Sequence, residues 1–200
     1  MGAPVLHFWF DLASTYSYPA AMRIEPLAKA AGVAVEWRPL LLGPIFAAQG
    51  WKDSPFNLFP VKGQYMFRDL QRVCAELDLP FVLPNPFPQN SLLAARVATA
   101  LEGAPRAIFA RAIYALEFGE GRDISDPLLV AEALRRAGLD AALVEKAQTQ
   151  DVKDALRAAT EEAKQAGVFG APSFTTADGE LFWGNDRLEA ALAWTAKDRS

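Results

Sequence analysis

Apolar and polar positions follow one rhythm at both ends of the chain and another in its middle. Val5-Leu6-His7-Phe8-Trp9-Phe10 is a dense, aromatic-rich run of strand length, which predicts a buried strand. Asp11 to Ser14 break it. From Tyr16 to Gly32 apolar residues recur at helical spacing through Ala20, Ile24, Leu27 and Ala31, and predict a helix that Gly32 stops. Pro19 suits the first turn of that helix, whereas Pro26 falls inside it and predicts a kink. Val33 to Arg38 alternates and predicts a second strand. A strand–helix–strand unit over residues 5–42 implies parallel pairing, since parallel neighbours need a crossover connection.

The middle of the chain carries helical spacing and no strand pattern. Gly43 to Pro60, rich in Gly, Pro and aromatics, reads as a long connection. Met66, Leu70, Val73 and Leu77 form one stripe on a helix predicted over 64–77. Pro80 to Gln89 is too proline-rich for regular structure. Helices are predicted over 91–101 and 105–118, from Asp126 to Ala137 with Asp126 capping ahead of Pro127, and from Asp151 to Gln165. Strand style returns at Ser173–Ala177 and Glu180–Trp183, which flank Asp178-Gly179 and predict a hairpin with a type I′ turn. Asn185 is the expected cap of a last helix, Asp186 to Ala196. The chain therefore reads as an α/β protein in the order β-α-β, helical block, β-β-α. That is a thioredoxin-like domain of residues 1–43 and 167–200, with residues 44–166 as a large all-helical insertion.

Composition agrees with an ordinary globular enzyme. Hydrophobic residues make up 52% of the 200 and charged residues 22%, enough to bury a full core. Lys+Arg is 20 against Asp+Glu 24, a net charge of −4 without a basic stripe, which argues against a nucleic-acid partner. No apolar run approaches ~18 residues, so no membrane span is predicted. The first ten residues lack the basic start and cleavage site of a secretion signal, and a cytoplasmic location is the expectation. Cysteine occurs once, at Cys74. One thiol forms neither an intramolecular disulfide nor a multi-cysteine zinc site, and no metal is expected.

That single cysteine changes the meaning of the turn after the first strand. In a thioredoxin-like fold this turn carries a Cys-x-x-Cys motif; here Ser14 and Ser17 stand at those positions. Exchange between two protein sulfurs is excluded. The turn still opens a helix, whose free N–H groups and positive dipole end favour an anion. A thiol brought by a ligand would be driven towards its thiolate there, with Ser14 as hydrogen-bond donor. The plainer reading of Ser14 and Ser17 is a helix cap and a first-turn serine. In a second stretch, Gly167 to Phe174, Ala171-Pro172 occupies the place where such folds hold a cis-proline that exposes backbone to an extended ligand. A trans proline opening a strand is the alternative. In a third, Phe182 to Leu188, Asp186 and Arg187 stand at the start of the last helix. There the ammonium and carboxylate of an α-amino-acid end find partners. A cap at Asn185 with a surface Asp–Arg pair is the simpler account.

Four motifs occur in order: Phe-Asp-x-x-Ser-x-Tyr-Ser-Tyr (10–18), Lys-Gly-Gln-Tyr-Met (62–66), Gly-Val-Phe-Gly-Ala-Pro (167–172) and Phe-Trp-Gly-Asn-Asp-Arg-Leu (182–188). With them the chain resembles the 2-hydroxychromene-2-carboxylate isomerases, which are similar to kappa-class glutathione transferases and to the DsbA-like disulfide oxidants. The resemblance implies glutathione as cofactor. Ser14 would favour the glutathione thiolate. Lys62 would meet a glutathione carboxylate, and Ala171, ahead of Pro172, would pair with the cysteinyl backbone. Asp186 and Arg187 would hold the γ-glutamyl end, with Asn57 as a further cofactor-binding candidate. Where the family commonly has proline after the first serine, this chain has Thr15.

The activity implied is cis–trans isomerisation of a small aromatic α-keto acid through reversible thiolate addition. A transferase that leaves a stable conjugate needs the same thiolate, and a non-catalytic peptide-binding module needs only the proline edge. A homodimer is implied by resemblance alone. Cys74 and His7 read as structural, and Trp9, Trp37 and Phe46 as core. Tyr16, Tyr18, Trp51, Phe56 and Phe87 are candidates for either the wall of an acceptor pocket or the core.

Overall fold

The computed structural model describes residues 2–52 and 54–197, and of Asn57 the backbone alone. β1 (Val5–Phe10), α1 (Ser17–Ala31) and β2 (Ala34–Pro39) form the expected crossover unit, with β1 and β2 parallel from Val5 opposite Ala34 to Phe10 opposite Pro39. Then come α2 (Leu42–Ala48), α3 (Pro55–Leu58), α4 (Pro60–Glu76), α5 (Leu92–Ala100) and α6 (Gly103–Tyr114), the last running into a π-helical turn over Ala115–Gly119. α7 (Pro127–Arg136), α8 (Leu143–Lys146) and α9 (Gln150–Gln165) follow. β3 (Ser173–Thr175), β4 (Leu181–Trp183), a 3-10 turn over Asn185–Arg187 and α10 (Leu188–Lys197) close the chain. The sheet order is β2-β1-β3-β4, with β3 antiparallel to both of its neighbours.

Strand alternation sends β1 into two cores. Leu6, Phe8 and Phe10 face one side, fully buried. Phe8 stacks on Phe174 with centroids 5.4 Å apart and meets Trp37 edge-on at 4.8 Å. The same cluster takes in α1, α10 and, from the helical block, Phe109, Ile113 and Leu134. Trp9 faces the other side, against Leu40, Ile45, Ala163 and Val168.

Several local expectations are corrected. Residues 43–60 are not one irregular connection, because α2 and α3 form within them. The start of α2 is stabilised from afar: the Leu42 N–H, an orphan donor of a first turn, reaches the Asp11 carboxylate at 2.8 Å. α4 begins at Pro60, earlier than residue 64, since proline suits a first helical position. The hairpin does not use a type I′ turn. Gly179 has φ of +86°, but Asp178 keeps negative φ, and Gly179 N–H bonds Thr176 O at 3.0 Å. That is a type I turn closed by a glycine bulge. Asn185 does not cap the last helix; it is buried, and its Oδ1 accepts from Arg23 at 3.0 Å.

Candidate active site

Asp11, at the end of β1, organises the turn that follows. Its Oδ1 accepts from the Ala13 N–H and the Ser91 hydroxyl, each at 2.9 Å, and its Oδ2 from the Leu42 N–H. One carboxylate thereby ties the turn to the starts of α2 and α5. Burial raises the Asp11 pKa above the usual carboxylate range, and these three donors pull it back. Tyr114 of α6 donates to the Asp11 carbonyl at 2.8 Å from below.

Held in this way, the turn presents Ser14. Its Oγ donates to the Ala171 carbonyl at 3.0 Å, so the first and second sequence motifs meet. The Ala171-Pro172 bond is cis. The Ala171 N–H has no acceptor among the described residues, and neither do those of Thr15 and Tyr16. Unpaired donors at the head of a helix are what an anionic or extended ligand needs.

α4 docks on the same turn. Thr15 Oγ1 meets Met66 Sδ at 3.2 Å, and the Tyr16 hydroxyl donates to Asp69 at 2.8 Å. Lys62 lies four and seven residues before these anchors, on the same helical face. It lines the cavity that opens in front of Ser14, with its ammonium 4.8 Å from the centre of the Phe59 ring. Asp186 and Arg187 are exposed, pair with each other at 3.3 Å and do not line the cavity, although the charge of Asp186 reaches Tyr16. The Asn57 side chain lies outside the described residues.

The cavity measures about 1230 Å³. It runs from the 11–16 turn, past α2 and the loop after it, to the segment 87–92 and to Phe169–Ala171. Tyr16, Trp51, Phe56 and Phe87 line it, but Tyr18 does not: it is 1% exposed and donates to Pro80 O from the core. Phe46 is corrected in the opposite sense. It is half-buried, packs at a tilt against Trp51 and lines the cavity.

The family described as the DSBA-like thioredoxin domain matches residues 5–193. The chain belongs to the DsbA-like thioredoxin family. It is 32% identical over 186 residues to a 2-hydroxychromene-2-carboxylate isomerase of Sphingobium xenophagum, covering 92% of this chain and 94% of that one. It is 30% identical over 204 residues to glutathione S-transferase kappa 1 of Homo sapiens, covering 92% and 87%. Among solved structures, a 2-hydroxychromene-2-carboxylate isomerase aligns with a TM-score of 0.86 at 26% identity, over 97% of both chains. The thioredoxin-like α/β architecture expected from the sequence is thus the architecture of the family.

This DsbA-like chain keeps its only thiol away from the turn. Cys74 sits on the buried face of α4, 1% exposed, and burial pushes it up to about 11. Sequence reasoning missed two residues. Asp11 was legible only as a motif letter, although an Asp two residues ahead of a free N–H is a known turn former. Glu117 lies in the π-helical turn, fully buried, with neither carboxylate oxygen hydrogen-bonded among the described residues. Desolvation first, then the charges of Asp11 and Asp123, raise its pKa well above the usual range. The signal was a lone charge in the apolar run Ile113 to Phe118. Among the described residues no helix is long and apolar enough to cross a membrane.

Proposed function

We propose that this protein is a glutathione-dependent cis–trans isomerase of the 2-hydroxychromene-2-carboxylate type, acting in the cytoplasm on a small aromatic α-keto acid or its cyclic hemiketal. The observation that carries this reading is the meeting of Ser14 and Ala171 at 3.0 Å on the edge of a large cavity, in a chain whose one thiol is buried elsewhere. Both named relatives at 30% identity or above support the enzyme class.

The residues present fit glutathione. The free Ala171 N–H suits an extended backbone, the Thr15 and Tyr16 N–H groups suit an anion, and Lys62 suits a carboxylate. Ser14 turns its hydroxyl from the Ala171 carbonyl to the sulfur and holds it as thiolate. Asp186 and Arg187 serve a γ-glutamyl end that extends past Tyr16. The assignment of Asn57 rests on the resemblance alone. When bound, glutathione supplies a nucleophile that adds reversibly to a conjugated carbon, so that the former double bond can rotate before elimination. Ser14 orients that nucleophile, and the aromatic walls hold the acceptor flat and exclude water.

The test is to follow product and glutathione together over many turnovers. The reading expects an absolute need for glutathione and no net consumption. One glutathione lost per product would replace it with a kappa-type transferase. Turnover without glutathione would overturn both.

A further inference from the structure

The cavity is larger than the ~300–1,000 Å³ of an ordinary ligand pocket, which suggests two ligands side by side. Beside the 11–16 turn, the rim of this cavity has its own chemistry. Phe46 and Trp51 pack in a tilted contact with centroids 5.5 Å apart, and so do Phe169 and Trp183 with centroids 5.0 Å apart. Gln49 at the end of α2 donates to the Phe169 carbonyl at 3.2 Å, which joins the two pairs into one rim. Gly170 makes room for the Trp183 indole: a Cβ there would stand 2.6 Å from Trp183 Nε1. All four aromatic side chains line the cavity.

Among the described lining residues the cations are Lys52 and Lys62. Lys62 belongs to the α4 face that docks on Thr15 and Tyr16, at the Ser14 end. Lys52 follows Trp51 directly in sequence and lines the cavity with it. It is exposed and makes no ion pair among the described residues. The remaining charged lining residue, Asp11, is buried, and its oxygens are engaged by three donors.

We propose that Lys52, with Phe46 and Trp51 beside it and Trp183 on the same rim, forms the subsite of the second ligand, a planar aromatic carboxylate. The ammonium takes the carboxylate and the aromatic faces take the ring. This rests on the reading that the Ser14 turn holds glutathione.

The test uses the full chain with hydroxybenzylidenepyruvate and its methyl ester as probes. Acid and ester affinities are read by tryptophan fluorescence without glutathione, and glutathione affinity by calorimetry. Lys52→Met should weaken the acid about tenfold, the scale of one lost hydrogen bond to a charged group. It should leave the ester and glutathione unchanged, and Lys52→Arg should restore most of the acid affinity. Unchanged acid binding, an equal loss for the ester, a loss confined to glutathione, or no binding of the acid to the parent protein would each overturn the subsite. If the parent fails to bind glutathione yet binds the acid with this Lys52 dependence, the subsite stands and the glutathione reading falls.

Discussion

The Ser14 hydroxyl donates to the Ala171 carbonyl across 157 residues of sequence, at 3.0 Å. This contact shows how the fold brings the start of its first helix against the start of its third strand. It also leaves Ser14 holding a donor that can be turned to a ligand sulfur. Ser14→Ala is therefore expected to lower kcat/KM by about 10- to 100-fold, the range for a lost hydrogen bond to a charged partner. The thermal midpoint should barely move. The pH dependence of thiolate absorbance in bound glutathione should shift to higher pH in the variant. Parent-like turnover would remove Ser14 from the mechanism.

Asp11→Asn keeps the shape of the side chain but gives it one acceptor oxygen and one N–H₂ group. Ala13 and Ser91 donate to one oxygen of Asp11 and Leu42 to the other, so an amide must point donors at donors. A loss of about 1–3 kcal/mol in denaturant unfolding is expected. Glutathione affinity should fall with it, because the same carboxylate sets the turn that carries Ser14. A variant of full stability and affinity would show that the three donors find other acceptors.

Glu117 yields a prediction in pH. Its folded pKa lies above its unfolded one, chiefly through desolvation. The stability it contributes is fully present below the unfolded value of about 4.5 and is lost as pH rises through the folded value. Glu117→Gln removes the titration. It should match the parent within about 1 kcal/mol near pH 4 and exceed it at pH 8. Unfolding curves at the two pH values decide it, and a parallel fall of both proteins with pH would locate the titrating group elsewhere.

Cys74 separates a protein sulfur from a ligand sulfur. Burial pushes the thiol up to about 11, so it should resist thiol reagents in the native state and react once unfolded. Cys74→Ala should cost about 1 kcal/mol in stability through lost core volume and leave glutathione-dependent turnover unchanged. Loss of turnover in a folded variant would place chemistry on the protein's own thiol.

The local code was clear wherever a few adjacent residues decide the outcome. The β1 run, the α1 stripe with its Gly32 stop and the Asp126-Pro127 start of α7 all form as their neighbours dictate. Asp126 caps by accepting from the Leu128 N–H at 2.8 Å. Two of the errors share one cause. α2 depends on Asp11, which is remote in sequence, and Asn185 answers Arg23 rather than its own helix. In each case a partner far along the chain outweighed the local preference. The candidate site divides in the same way. Ser14, Lys62 and Ala171 were named from motifs, whereas the role of Asp11 in holding the turn, the burial of Glu117 and the place of Phe46 on the wall needed the packed structure.

The sequence by itself determined the order of the strands and of the longer helices, the serine turn at the head of a helix and the lack of a second thiol, because these depend on residue identity and short-range periodicity. Only the tertiary structure decided which side chains share the cavity. Tyr16 and Tyr18 are two residues apart on one helix start, yet one faces the cavity and the other the core. Helical geometry turns residues two apart to different sides, and what lies on each side is set by segments distant in sequence.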